Sequence, residues 1–534
     1  MRFASALKIG LAAAIASFAA ACGGGDPVAD NVLHRGITAN PDTVDPHKAE
    51  GTWERYVIND MFVGLFADDA NANPVPTVAE SWSVSEDGLT WTFNLRPFFW
   101  SDGEPVTAYD FEFAMRRLMD PTTTGVSYAS LLYVVKNAQA VNGGQLSVEE
   151  LGAKAIDAET FELTLEYPAP YLPELLKHYV AHPVPAHAVR EFGDAWTRPE
   201  NLVVNGPYKL AQWRTGDFLR SVKNPTFYDA ENVCFDEIVY YPYSDQDAVI
   251  RLAQTGKIDT NNDFPGRRYE ELKEILPGWA RLHEFLATNY IVFNTRSAPF
   301  NDERVRIALS MTLDRQFITE EVMQGSQTPA YAFVPPGIAN YENAPQASWK
   351  DAPLDERFQM ARNLLEEAGY GPDNPLTFEY TFMSTGESPK FAPVVQSNWK
   401  DIAEWVDVSI RRVETRVLYN QLQEGDFQVS NAAWAADYND AQNYLYLLQS
   451  TTGPMNYGGF DNPQYDALLE ASNLERDMET RAGLLRQAET MILEAGAIAP
   501  LSVRASRNLV NPNLTGYEDN IEDVHPSRFI CRAG

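Results

Sequence analysis

Three histidines lie close together in the segment HYVAHPVPAH: His178, His182 and His187. His178 and His182 have i, i+4 spacing, which on a helix places two imidazoles on one face, where they could bind a metal ion. Pro183 and Pro185 interrupt that helix, and the sequence places no further ligands nearby. We therefore expect one or two half-buried histidines near a helix end, and neither a metal site nor a cofactor.

Motifs of catalysis and of nucleotide binding are missing from the sequence. Gly256-Lys257 lacks the upstream glycine of a phosphate-binding loop, and no GxGxxG, GxSxG or HExxH occurs. The adjacent acids Glu149-Glu150 and Glu366-Glu367 fall at solvent-facing helical positions, which is typical of a charged face rather than a hydrolase pair. We therefore expect no enzyme; a secreted hydrolase with unrecognised catalytic residues is the weaker alternative.

The segment WAADYND at 434–440 places an acid, Asp437, between two apolar runs. Asp437 could end a strand, start the helix AQNYLYLL or receive a cation, and the pattern alone favours the first two roles. Tyr128, in VSYAS, could likewise be a core aromatic. The 11 Trp and 25 Tyr fit a large, partly wet cleft lined with rings, although most aromatic side chains belong to cores.

The elements that must position these residues can be read from hydrophobic periodicity. Residues 89–96 (LTWTFNLR) and 160–165 (TFELTL) alternate apolar and polar side chains, which predicts half-buried strands. Residues 354–368 and 478–495 carry apolar side chains at helical spacing, and a glycine follows each segment. Strands and helices intermix without a repeat or a low-complexity linker, which predicts α/β or mixed α+β domains.

Composition and charge exclude several classes of protein. The chain has 534 residues, of which 45% are hydrophobic, so it is long enough for two or three domains with large cores. Its formal charge is −32, from 42 Lys and Arg against 74 Asp and Glu. This charge argues against nucleic acid and anionic lipid surfaces as partners.

The first 22 residues have the pattern of an export signal. Arg2 and Lys8 precede an apolar, alanine-rich stretch at 9–21 that is too short to span a bilayer. Small residues followed by Cys22 and three glycines predict a lipoprotein site with Cys22 lipidated, although Ala19 stands where leucine is more common. Simple cleavage after Ala21 stays open. In either case we expect a periplasmic protein, attached to a membrane through a lipid anchor in the first case and free in the second.

Two further cysteines occur in the chain. Cys234 lies in the strand-like stretch VCFDEIVYYPY, and Cys531 lies in RFIC close to the C terminus. In an oxidising compartment the two thiols could form one disulfide, and two buried free thiols are the alternative.

One long segment resembles a known family. Residues 82–111, WSVSEDGLTWTFNLRPFFWSDGEPVTAYDF, resemble the signature region of extracytoplasmic solute-binding proteins of the peptide and nickel ABC transporter family, and among these the periplasmic oligopeptide-binding proteins most. WAADYND is another matching block, and further blocks follow in the same order: TVDPHKAEG at 43–51, NGPYKL at 205–210, FNTRSAPFNDERVRIALSMTLDR at 293–315, TPAYAFVPP at 328–336 and EEAGYGPDNPL at 366–376. The resemblance runs from about residue 30 to the C terminus.

The resemblance implies a periplasmic-binding-protein-like fold of two lobes joined by crossing strands, with the ligand enclosed between them. After a signal peptide at 1–22, the implied layout is a discontinuous first lobe at 27–62, 186–286 and 505–534, an extra domain at 63–185, and a second lobe at 287–504. Cys234 and Cys531 then lie in the same lobe, which favours the disulfide.

The resemblance also implies a function and a site. The protein would bind oligopeptides in the periplasm and deliver them, as a monomer, to the permease subunits of an ABC importer in the inner membrane, without a cofactor. Asp437 would receive the peptide's α-amino group, Tyr128 would complete the hydrogen bonds of that amine, and Asn439 or Asp440 would cap the next helix. Segments that match the family's main-chain hydrogen-bonding strands are Glu50, Gly51 and Thr52, and Ala433, Trp434 and Ala435.

The sequence departs from the family at the far end of the ligand. Binders of peptides of fixed length often place cations there, whereas Met323, Ser388 and Asn431 stand at these positions. Lys390 or water could replace such a cation. A non-peptide cargo carried by the same fold, such as a metal chelate, haem, an opine or an oligosaccharide, is therefore the alternative function.

Overall fold

The computed structural model describes residues 31–49, 51–126, 128–384 and 387–533. Cys22 and Glu50, which the sequence analysis singles out, lie outside the described residues. Within these ranges, no helix has both the length and the hydropathy needed to cross a membrane.

The strands of the described residues vary in length from two residues to fourteen. They are β1 (Val32–Ile37), β2 (Phe66–Asp68), β3 (Pro74–Pro76), β4 (Ala79–Val84), β5 (Thr90–Leu95), β6 (Ala153–Ala155), β7 (Thr160–Thr164), β8 (Tyr208–Arg214), β9 (Phe218–Lys223), β10 (Glu237–Pro242), β11 (Thr260–Asn261), β12 (Ala280–Phe293), β13 (Gln327–Pro329), β14 (Leu376–Met383), β15 (Val406–Val413), β16 (Val429–Ala435), β17 (Ile498–Val510), β18 (Leu514–Thr515) and β19 (Cys531–Arg532).

Helices are interspersed with these strands along the whole described chain. They are α1 (Thr52–Met61), α2 (Ala108–Met119), α3 (Ala138–Asn142), α4 (Leu172–Leu176), α5 (Ala186–Phe192), α6 (Gln246–Gln254), α7 (Tyr269–Ile275), α8 (Glu303–Met311), α9 (Arg315–Phe317), α10 (Leu354–Glu367), α11 (Ser388–Lys400), α12 (Thr415–Glu424), α13 (Gln442–Leu445), α14 (Pro463–Leu474) and α15 (Met478–Glu494).

One mixed sheet organises the molecule, with the strand order β15-β14-β16-β12-β17-β11-β1-β10-β9-β8 and β13 added beside β17. The two long antiparallel strands β12 and β17 lie at its centre and connect its two halves. Residues 280–284 of β12 pair with 505–509 of β17 on one side of a register shift, and residues 287–293 pair with β16 on the other side. The predicted mixed α/β fold with crossing strands is confirmed.

A separate antiparallel sheet, in the order β4-β5-β7-β6, lies within residues 79–164. The two strands predicted from alternation are confirmed as β5 and β7. Their inward side chains include Phe93 and Phe161, which are fully buried and pair across the two strands. Burial of every second side chain on one face explains why the alternation was readable from the sequence.

The two predicted helices are confirmed as α10 and α15, each one residue shorter than its periodic segment. Asp477 caps α15, because its side chain accepts a hydrogen bond from the backbone N–H of Thr480. Gly496 follows the helix with φ of +56°, a conformation that favours glycine and ends the helix.

Cys234 and Cys531 form a disulfide, with their Cα atoms 5.4 Å apart. Cys531 lies in β19, which pairs with β18, and Cys234 comes three residues before β10. The bond therefore fastens the end of the chain to the half of the large sheet that contains β10.

Candidate functional site

The site is built on the turn that follows β16. The side-chain oxygen of Asn443, in α13, accepts hydrogen bonds from the backbone N–H of Asp437, at 3.2 Å, and from Nε1 of Trp434, at 2.9 Å. One amide thus holds the end of the strand and the turn together. As a result the carboxyl group of Asp437 has a fixed place beside the helix that follows.

Asp437 lines a cavity of about 320 Å³ between residues 128–175 and 437–446. Its walls are rich in tyrosine, which offers a flat apolar ring and a polar hydroxyl on the same side chain. These tyrosines are Tyr128, Tyr133, Tyr167, Tyr171, Tyr438 and Tyr446. The size and lining suit a small polar group attached to a larger ligand.

Asp437 is exposed to the solvent of this cavity, although the cavity walls displace part of the water around its carboxyl group. This partial loss of hydration raises the pKa of Asp437 to about 6, while a hydrogen bond from Asn443 acts in the opposite direction. Within the described ranges, no Lys, Arg or His side chain forms an ion pair with Asp437. The site therefore presents a poorly hydrated carboxylate that a cationic ligand would stabilise.

Asp440, three residues later, has a different environment. Its carboxylate is buried and accepts hydrogen bonds from both terminal nitrogens of Arg481, at 2.7 and 2.9 Å. The same group accepts the backbone N–H of Gln442, the first residue of α13, at 2.8 Å. Asn439 instead accepts the backbone N–H of Ala339. Of the two predicted caps, Asp440 is the one that contacts the start of α13.

Aromatic contacts join residues 63–185 to this turn. The rings of Tyr171 and Tyr438 are stacked, with centroids 5.1 Å apart and planes inclined by 6°. The guanidinium of Arg481 lies 5.4 Å from the centroid of the Tyr171 ring. The sequence analysis missed this contact, because no pattern in the chain relates residues so far apart in sequence.

Tyr128 lines the same cavity as Asp437, so the structure brings these two predicted site residues together. Its half-buried ring packs against the imidazole of His178, with centroids 5.9 Å apart. The lining of the cavity therefore combines the aromatic ring of Tyr128 with the carboxylate of Asp437.

The described residues of the predicted main-chain segments do not line this cavity. Gly51 precedes α1, where its N–H donates to the Glu54 carboxylate at 2.6 Å, and Thr52 is exposed. Residues 433–435 form the end of β16, and their described neighbours include β12. Main-chain pairing of a ligand with these two segments stays a prediction.

The positions where relatives of fixed ligand length place cations are neutral and closed here. Asn431 donates to the hydroxyl of Ser388 at 2.9 Å and accepts the backbone N–H of Met383 at 3.2 Å. Met323, Ser388 and Asn431 are buried, whereas Lys390 is exposed. The three buried side chains carry no charge themselves.

The three clustered histidines have separate roles. His178 accepts the N–H of Val180, and the Nε2 atom of His182 contacts the carbonyl of Lys177, while burial lowers the pKa of both rings. His187 is exposed and lies 2.8 Å from an oxygen of Asp102. In the part of the chain that the structure describes, these rings do not form a group able to hold a metal ion.

Comparison with known proteins identifies the family. Residues 73–456 match the model of the bacterial extracellular solute-binding proteins, family 5. This chain belongs to that family. It is 35% identical over 529 residues to the periplasmic oligopeptide-binding protein OppA of Salmonella typhimurium, covering 98% of this chain and 96% of the relative. It is also 35% identical to the periplasmic murein peptide-binding protein MppA of Escherichia coli, covering 93% and 92%.

Solved structures of this family match the fold over almost the whole chain. The unliganded open form of MppA matches with a TM-score of 0.87 at 34% identity, covering 95% of this chain and 98% of that one. The OppA of Haemophilus influenzae in complex with the peptide RPPGFSPFR matches with a TM-score of 0.73 at 32% identity, covering 95% and 99%. By TM-score, the structure of this chain is more similar overall to that open form than to that peptide complex.

Proposed function

We propose that this protein is the substrate-binding component of an ABC importer, which captures oligopeptides outside the cytoplasmic membrane and delivers them to the permease. Its membership of the solute-binding family supports the transport role. The names of its relatives, an oligopeptide-binding and a murein peptide-binding protein, support a peptide cargo. The peptide bound to the H. influenzae structure adds to this support.

The observation that carries the proposal is the unpaired carboxylate of Asp437. A peptide's α-amino group is a cation, and it must lose water when the lobes close around it. Asp437 has already lost part of its hydration, as its raised pKa of about 6 indicates. When the ammonium and the carboxylate pair, neither is left as a charge that has lost water without gaining a counter-charge. Asp437 is therefore the receptor for the ammonium.

Other residues of the cavity complete the recognition. The hydroxyl of Tyr128 would hydrogen-bond the amine, and the tyrosine rings with trapped water would accommodate side chains of different size. Main-chain hydrogen bonds to Glu50, Gly51 and Thr52 and to Ala433, Trp434 and Ala435 would give affinity that does not depend on peptide sequence. The neutral pair of Ser388 and Asn431 would leave the peptide's carboxylate without a fixed cation, so peptides of several lengths would bind.

The proposed protein has two lobes and an extra domain, and it acts outside the cytoplasmic membrane. The first lobe would comprise 27–62, 186–286 and 505–534, the extra domain 63–185, and the second lobe 287–504. The chain would act as a monomeric binding protein without catalysis, exported by its first 22 residues and anchored in the periplasm through Cys22 or released there.

Calorimetric titration with matched peptides tests the proposal. A tripeptide of small residues and its N-acetylated form differ only in the ammonium, so only the free peptide should bind well. Asp437→Asn should weaken binding of the free peptide by about 2–5 kcal/mol and should leave the weak binding of the acetylated form unchanged. Native mass spectrometry of protein purified from its host would identify the cargo directly.

Two outcomes contradict the proposal. If free and acetylated peptides bind equally, Asp437 is not the ammonium receptor. If no peptide binds and the co-purified ligand is an amine without a peptide bond, then the alternative with a non-peptide cargo is correct. The neutral Ser388–Asn431 pair supports this alternative, because it would suit a ligand without a carboxylate.

A further inference from the structure

A second cluster of polar side chains lies where the crossing strands leave the first half of the large sheet. It consists of His283 in β12 together with Asp523 and His525 near the C terminus. Nε2 of His525 is 3.0 Å from Oδ1 of Asp523, and Nε2 of His283 is 3.7 Å from the same oxygen. The three ligand atoms lie within 4.8 Å of one another. Ligands of a tetrahedral Zn²⁺ are roughly 3.3 Å apart, given bonds of about 2.0–2.1 Å, so small rotations would suffice.

The ring of His283 has the tautomer that a metal ligand needs. Its Nδ1 contacts the carbonyl of Glu284 at 3.2 Å and so carries the proton, which leaves Nε2 unprotonated and able to act as a ligand if the Asn508 amide turns away. The hydroxyl of Tyr56 donates to the second oxygen of Asp523 at 3.3 Å and orients that carboxylate. Both contacts are of the kind that hold metal ligands in place.

Asn508 of β17 supplies a fourth group. Its side-chain nitrogen lies 2.7 Å from Oδ1 of Asp523 and 3.2 Å from Nε2 of His283. Its side-chain oxygen is buried and has no hydrogen-bond partner among the described residues. Rotating the amide by half a turn would point that oxygen into the cluster, where it could bind a cation. The same rotation would move the amide nitrogen to the buried position that the oxygen now occupies, where the described residues offer no acceptor, so binding through this oxygen carries a cost.

The charges and the backbone geometry around Asp523 also favour a bound cation. Asp523 has φ of +55°, which is uncommon for a residue with a side chain and places its carboxylate between the two imidazoles. The nearby cation Arg35 faces Asp60 at 3.5 Å, so it is largely compensated. The carboxylate of Asp523 is the negative charge directed at the centre of the cluster.

We propose that His283, Asp523, His525 and Asn508 bind one divalent transition-metal ion of the Zn²⁺ class. Two imidazoles with one carboxylate and one amide oxygen form a ligand set that suits Zn²⁺ and its neighbours rather than Ca²⁺ or Mg²⁺. A cavity of about 320 Å³ that His283 itself lines gives the ion a path from solvent. The sequence predicts no metal site, since prolines interrupt the helix of His178 and His182, and the residues of this second cluster meet only in the fold.

The ion would connect three segments of the chain. His283 and Asn508 lie on the two crossing strands, just before the register shift between Glu284 and Thr288 of β12. Asp523 and His525 lie in the segment that leads to the disulfide. Bound metal would fasten this segment to the base of the crossing strands and stabilise the folded chain.

The affinity has a structural limit. With the metal on Nε2, His525 would carry its proton on Nδ1, and that buried atom has no acceptor among the described residues. Its ring stacks instead on Tyr517, with centroids 3.8 Å apart. Because partners of this kind change metal affinity by about 10–100-fold, we expect weaker binding than at a site whose histidines are all supported.

Titration of the untagged, metal-free protein with Zn²⁺ tests the proposal. We expect one equivalent to bind and to raise the melting temperature, whereas Mg²⁺ at the same concentration should not. His283→Gln and Asp523→Asn should each weaken Zn²⁺ binding at least ~10-fold. His187→Gln is the matched control, since it removes an exposed histidine that also lies beside a carboxylate, Asp102. Co²⁺ bound to the unaltered protein should show the visible absorption of a four-coordinate site, which requires no variant to fold.

Three results of these titrations would overturn the metal-site proposal. Zn²⁺ binding that is unchanged by His283→Gln, or lost with His187→Gln, would place the ion elsewhere. Failure to take up one equivalent, together with no Co²⁺ absorption, would show that the cluster is a hydrogen-bonded network only. None of these outcomes depends on peptide binding, which the same preparations can be tested for separately.

Discussion

Arg481 holds Asp440 through two hydrogen bonds, at 2.7 and 2.9 Å, in a buried ion pair. Asp437 lies only three residues earlier, faces the cavity and lacks an ion-pair partner in the described ranges. Two carboxylates of one turn thus have opposite roles. The paired one fixes the turn, and the unpaired one is kept available for a ligand.

This contrast predicts opposite effects of two matched substitutions on stability. Asp440→Asn leaves the buried Arg481 without its counter-charge and should lower the free energy of unfolding by about 3–5 kcal/mol. Asp437→Asn removes a poorly hydrated, unpaired carboxylate and should leave stability unchanged or slightly higher. Denaturant unfolding at neutral pH, followed by tryptophan fluorescence, measures both. Equal stability of the two variants would contradict the assigned roles.

Peptide affinity should depend on pH through Asp437. In the free protein its pKa is about 6, and an ammonium binds only the ionised form, so protonation competes with the ligand. Affinity should therefore fall as pH drops below about 6, by up to ~10-fold for each pH unit. On the alkaline side affinity should fall above about pH 8, where the peptide's own amine loses its proton.

Calorimetry of one peptide from pH 5 to pH 9, on the unaltered protein and on Asp437→Asn, checks this profile. The variant should bind the peptide weakly, and its affinity should no longer fall below about pH 6. The fall above about pH 8 should remain, because it comes from deprotonation of the peptide's own amine. A fall at acid pH that persists in the variant would assign it to another group.

The sequence predicted those parts of the fold that depend on local pattern. The strand at β5 and the helix at α15 show their buried faces as periodicity, and Gly496 marks the end of α15. The role of Asp437 did not follow from pattern, which favoured a structural acid. It followed from the resemblance of WAADYND to a family block, and it remains a prediction about the ligand.

The missed features are contacts between residues remote in sequence. No spacing in the sequence relates Arg481 to Asp440, and only the packing of α15 against the turn brings the two side chains together. The stack of Tyr171 on Tyr438 likewise needs two separate parts of the chain to meet. Such pairs leave no trace in spacing, so the composition could suggest a cleft lined with rings but could not identify the tyrosines that line it.

Glu489 gives a prediction about stability and pH. This buried acid of α15 accepts the backbone N–H groups of Phe333 and Val334, both at 2.8 Å, and the hydroxyl of Tyr341 at 2.7 Å. Despite these hydrogen bonds, burial raises its pKa from 4.5 to about 7. The folded state therefore binds the proton more tightly than the unfolded state. The contribution of Glu489 to stability is complete below pH 4.5 and is lost as pH rises through about 7.

Glu489→Gln keeps the shape and removes the titration, so it should gain stability relative to the unaltered protein as pH rises from about 5 to about 8, by up to ~3 kcal/mol. Glu494→Gln, an exposed acid on the same helix, is the matched control and should show no such gain. Unfolding curves of the three proteins at both pH values decide the matter, because every other titrating group is common to all of them. Parallel pH dependence in the unaltered protein and Glu489→Gln would mean that Glu489 stays ionised in the fold, held by its three donors.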